Sequence, residues 1–104
     1  MDIDELKQIV TNWASKLPYR VNIYLFGSWA KGTGKDDSDL DIAMSFLEPI
    51  SDFVWYDFHD KWQNYLTKEI GLPVQLELYE GDRSPHLKKY LDEASIILYS
   101  SKEH

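Results

Sequence analysis

Apolar positions in this chain recur with two different periods. Leu6, Ile9, Val10, Trp13 and Leu17 repeat at helical spacing. They predict an amphipathic helix over residues 2–17, with Asp2 or Asp4 to cap its start and Pro18 marking its end. RVNIYLF, residues 20–26, switches to strand chemistry and puts Val21, Ile23 and Leu25 on one side, Asn22, Tyr24 and Phe26 on the other. Gly27-Ser28 breaks that run. SWAK then has the makings of one helical turn, and GTGKDDS reads as a loop from its Gly, Asp and Ser content. Alternation returns in DLDIAMSF, residues 39–46, with Leu40, Ile42 and Met44 on one face and Asp39, Asp41 and Ala43 on the other. A longer helix is predicted over 52–70, stopped by Gly71. Its apolar residues follow two lines, one through Phe53, Tyr56 and Leu66, the other through Val54, Phe58, Trp62 and Tyr65, which predicts cover on two sides. VQLELY, residues 74–79, is a third strand in which Val74, Leu76 and Leu78 alternate with Gln75, Glu77 and Tyr79. After the turn EGDRSP, Ser84 is expected to cap a helix that begins with Pro85, and SIILY closes with strand character. The order predicts one α/β (α+β) domain over residues 1–104, a small mixed β-sheet packed by helices.

Composition narrows the function classes. A chain of 104 residues has room for one core. Its formal net charge of -7 repels nucleic acid at long range, so general DNA or RNA binding is disfavoured. The charge suits a basic protein partner, or only keeps the chain dispersed. The absence of cysteine excludes disulfides and thiolate metal sites and fits a cytoplasmic protein. No apolar run approaches the ~20 residues of a membrane span, and MDIDELKQIV lacks the pattern of a secretory signal. Aromatic residues make up 14% of the chain, Trp13, Trp29, Trp55 and Trp62 among them, enough to serve a core, an interface or both.

The candidate chemistry lies between residues 23 and 42. Asp39 and Asp41 are two apart in a predicted strand and project from one face. Two such carboxylates repel unless a cation lies between them, and Mg2+ is the hard ion that shares oxygen ligands with phosphates. Gly27 lets backbone approach a ligand closely, and a helical turn starting at Ser28 aims its free N–H groups at the same place. The Ser28 hydroxyl, Lys31 and Lys35 add donors and positive charge. A phosphate clamp ending one strand, beside a metal pair beginning its neighbour, suits metal-assisted nucleotidyl transfer. Glu77 is the acid of the third strand that completes the set if its face adjoins Asp39 and Asp41; otherwise it is an exposed strand carboxylate. Ser28 has no His/Asp relay near it, and His59, His86 and His104 have no metal-ligand spacing.

Gly27-Ser28, ten residues, then Asp39-Leu40-Asp41 resembles the G-S-x10-D-x-D signature of the DNA polymerase β-like nucleotidyltransferase superfamily. The short chain, its third strand and its SPHLKKYL helix are similar to the minimal nucleotidyltransferase (MNT) branch. The resemblance implies a Mg2+-dependent enzyme that transfers AMP from ATP to a tyrosine of a HEPN-domain ribonuclease toxin, as the antitoxin of a hetero-oligomeric pair. It implies that Gly27 and Ser28 bind the triphosphate, with Lys31 at a basic position of the pattern, and that Asp39 and Asp41 hold the metal; Glu77 is the candidate third ligand from its strand face, not from the pattern. Two positions differ from the pattern. Trp29 stands where Arg often follows Gly-Ser, and is expected to pack over the sheet or to stack on a base or partner. Gln75 stands where a V-D-L-type stretch commonly has its acid. Glu77 lies one same-face step further, about 6–7 Å by strand rise, and would have to reach back. The alternatives are a catalytically weak or inactive nucleotide-binding module that neutralises its partner by binding alone, and transfer to a small molecule.

Overall fold

The computed structural model describes residues 2–35 and 38–101. Asp36 and Asp37 of the predicted loop, and His104, lie outside the described residues. Helix α1 (Ile3–Ala14) is capped by Asp2, whose Oδ1 accepts the Asp4 N–H at 2.9 Å, and it ends four residues before Pro18. Strand β1 (Val21–Phe26) leads into the single turn of α2 (Ser28–Lys31), then β2 (Leu40–Phe46), the long α3 (Asp52–Ile70) and β3 (Val74–Leu78). A 3-10 turn (Gly81–Arg83), α4 (Pro85–Glu93) and β4 (Ser95–Ser100) follow. No helix among the described residues is long and apolar enough to cross a membrane.

The four strands form one mixed sheet in the order β3-β2-β1-β4. β1 runs antiparallel to β2 and β4, while β2 and β3 are parallel, joined through α3. Strand alternation decides what each face holds. Val21, Ile23, Leu25, Leu40, Ile42 and Met44 are fully buried beneath α1 and α3, with Trp13, Trp62 and Leu66. The opposite face carries a smaller cluster, Phe26, Ala43 and Leu87, under α4.

Two expectations fail. α3 is covered on one side, not two: Trp62 and Leu66 are buried, but Phe53 and Tyr56 are 80% and 78% exposed and Tyr65 is exposed too. Among the described residues the sheet and α1 pack on α3, and they reach its inner stripe alone. Ser84 precedes α4 as expected, with Pro85 in its first turn, but its hydroxyl makes no cap bond. Instead its Oγ accepts the Glu80 N–H at 3.0 Å, because the preceding tight turn brings that donor closer.

Candidate active site

β1 and β2 pair so that Phe26 lies opposite Asp41, and β2 and β3 pair so that Asp41 lies beside Gln75 and Ala43 beside Glu77. Asp41 is therefore flanked by the end of β1 on one side and the acid-bearing face of β3 on the other. Phe26, Gly27, Asp41, Glu77 and Tyr90 line one small cavity of about 240 Å³.

Gly27 is required there twice over. It adopts φ 74°, ψ -153°, a conformation reached almost only by glycine. A Cβ at this position would also run into the Asp41 carboxylate. The backbone can thus pass directly over Asp41 before turning into α2. Ser28 opens that turn, and by helix geometry the first N–H groups lack an intrahelical acceptor.

Asp39 stands two residues before Asp41, exposed, on the same side of the chain. Gln75 donates its Nε2–H to Asp39 Oδ2 at 3.4 Å, so the residue beside Asp41 supports its neighbour with an amide. Glu77 shares the cavity with Asp41. Burial, then the negative charge of Glu77, then that of Asp39 push the Asp41 carboxyl above its ordinary value. Such crowding of hard oxygen donors suits a divalent cation, which would relieve it. Among the described residues no group of three or more acidic or histidine side chains is placed to hold a metal ion.

Lys31 lies outside the cavity, its Nζ 3.1 Å from Glu93 of α4. Trp29 is a strut. Its Nε1–H donates to the Ser38 carbonyl at 3.2 Å, its indole packs on Gly34, and it leans on the main core. Gly34 is needed because a Cβ would meet that indole. Trp29 thereby ties down the chain just before Asp39.

Tyr90 and His59 carry no motif in the sequence, yet both have places here. Tyr90 stacks on Phe26, with centroids 6.5 Å apart and planes 26° apart, and walls the cavity. The signal was its spacing: three residues after the buried Leu87, it falls on the same face of α4. His59 donates its Nε2–H to the Leu76 carbonyl at 2.8 Å, a structural role.

A family profile described as polymerase beta, nucleotidyltransferase, matches residues 8–104. A relative from Methanocaldococcus jannaschii, provisionally named a protein adenylyltransferase, is 31% identical over 99 residues, covering 92% of this chain and 97% of its own. Protein adenylyltransferase MntA of Thermococcus cleftensis is 28% identical over 100 residues, covering 93% and 97%. Among solved structures, a chain of a toxin–antitoxin with AMP-PNP aligns at TM-score 0.66 and 18% identity, over 99% of this chain and 77% of that one. A chain of the complex between tri-AMPylated Shewanella oneidensis HEPN toxin and MNT antitoxin aligns at TM-score 0.67 and 16% identity, over 98% and 76%. At these identities the structural likeness speaks for the fold.

Proposed function

The chain belongs to the polymerase β nucleotidyltransferase family, and on that premise we propose that it transfers AMP from ATP to a tyrosine of a HEPN-domain toxin, as the antitoxin of the pair. The observation that carries this reading is the pairing register, which sets Asp41 between the Gly27 turn and Glu77. The names of its relatives, and the AMPylated toxin in the structurally similar complex, support the reaction class and the partner.

In this reading the Gly27 backbone and the first N–H groups of α2 hold the triphosphate. Asp39 and Asp41 would hold Mg2+, with Glu77 drawn in as a third carboxylate only when the ion binds, and the ion would neutralise charge at the phosphates. Gln75 orients Asp39, and Trp29 fixes the chain that delivers it. Lys31 joins the phosphates only by leaving Glu93. The acidic chain complements a basic partner, and the lack of cysteine fits a reducing cytoplasm.

The test is to incubate the protein with Mg2+, ATP and its HEPN-domain partner and to weigh the partner by mass spectrometry. An added AMP on a tyrosine is expected; an unmodified partner overturns the reading. One observation favours a second reading, neutralisation by occlusion alone: an amide, Gln75, stands beside Asp41. In that case Asp39→Asn with Asp41→Asn still neutralises the toxin.

A further inference from the structure

The outer edge of β3 is closed along most of its length and open at its end. Leu40 N–H bonds the Pro73 carbonyl at 2.8 Å and Tyr79 N–H the Met44 carbonyl at 2.9 Å, so odd-numbered residues face β2. Val74, Leu76 and Leu78 therefore turn their backbone outward. α3 answers the first two. Thr67 Oγ1 accepts from Val74 N–H at 3.1 Å, Gln63 Oε1 accepts from Leu76 N–H at 2.9 Å, and His59 donates to the Leu76 carbonyl. These caps are spaced four residues apart along one stripe of the helix, and the next position is Trp55. Its indole has no acceptor to offer the Leu78 N–H.

At that point the edge opens. Trp55 and Leu78 line a groove of about 540 Å³, together with Arg83 and His86. The groove shares Glu77 and Tyr90 with the Gly27–Asp41 cavity, so the two adjoin at these side chains. They lie on opposite sides of Asp41: the Gly27 turn on the β1 side, the groove beyond β3. In phosphoryl transfer the attacking and leaving oxygens are roughly in line. With the leaving pyrophosphate held at the Gly27 turn, the attacking oxygen must arrive from the β3 side.

The geometry points to this groove as the docking site of the acceptor: an extended peptide segment of the partner that pairs with the Leu78 edge and carries a tyrosine hydroxyl past Glu77 and Tyr90 to the α-phosphate. Strand addition of this kind is a general mode of peptide capture. The inference rests on the AMP-transfer reading. In the step itself the phenolic oxygen bonds to the α-phosphorus, the bond from that phosphorus to pyrophosphate breaks, and the phenol proton is lost to solvent.

Two variants test it. His86→Trp fills the groove from an exposed helix position, and Leu78→Pro removes the outward N–H at a place where an edge strand tolerates proline. Affinity for AMP-PNP and for the purified HEPN-domain partner is measured by calorimetry, and AMP transfer is followed at varied partner concentration. His86→Trp is expected to weaken partner binding, and to raise its KM, by about tenfold, and Leu78→Pro by about fivefold to tenfold. AMP-PNP affinity stays unchanged. Loss of AMP-PNP affinity with unchanged partner binding assigns the groove to the base and overturns the proposal; so does a groove filled without consequence. If the wild-type protein binds its partner but transfers nothing, the function reading fails by itself, and the change in partner affinity still decides the groove.

Discussion

Asp41 and Ile42 are neighbours on one strand and face opposite worlds. Ile42 enters a dry layer of six fully buried side chains, roofed by two helices and an aromatic cluster in which Trp62 meets Trp13, Tyr19 and Phe58. Asp41 enters a face roofed by α4 alone, where a cavity remains and like charges crowd. Period-two alternation makes both faces from the same strands, and a slip of one residue in register would exchange them. The two faces divide the labour. One face supplies the stability that lets the other hold carboxylates together at a cost.

The largest break in that division is expected from Ile42→Ala, which should cost about 2–5 kcal/mol by denaturant titration. AMP-PNP affinity of the folded fraction should not change, because the residue never reaches the other face. Gly27→Ala works from the chemical side. Its backbone strain is worth about 1–3 kcal/mol, and its Cβ displaces the Asp41 carboxylate, so calorimetry should show AMP-PNP affinity falling where Ile42→Ala leaves it intact. Asp41→Asn sharpens the contrast by gaining stability. The Asp41 carboxyl titrates higher in the folded chain than in the unfolded one, so the folded state binds more protons in that window and stability falls as pH rises through it. The variant should therefore melt above the wild type at neutral pH, and the gain should vanish as pH drops below the ordinary carboxylate range. The smallest effect belongs to Glu93→Ala. A half-exposed pair is worth about 0–1 kcal/mol, so the melting point should barely move, while the released Lys31 should modestly tighten AMP-PNP binding.

Features governed by local spacing were legible in the sequence. The α3 boundaries, the strand faces, and the Gly-Ser and Asp-x-Asp spacing all follow from periodicity and from what glycine and paired carboxylates require. Features governed by which element covers which were not. Phe53 and Tyr56 have the spacing of a covered stripe, but both are largely exposed. Trp29 reads as a packing residue, and does pack, yet its bond to Ser38 depends on how the loop returns. The capping stripe of Thr67, Gln63 and His59 reads as ordinary helix polarity until β3 is laid alongside. The third acid was half legible: the strand marks Gln75 and Glu77 as facing one way, but only the parallel register sets Gln75 beside Asp41 and Glu77 within its field.

AMP transfer by the open face through its carboxylates is tested by following label from ATP to the proposed HEPN-domain partner, with Mg2+, for the wild type and for Asp39→Asn with Asp41→Asn. Transfer should fall about a thousandfold in the double variant, which still folds. Equal transfer by the two proteins would contradict it.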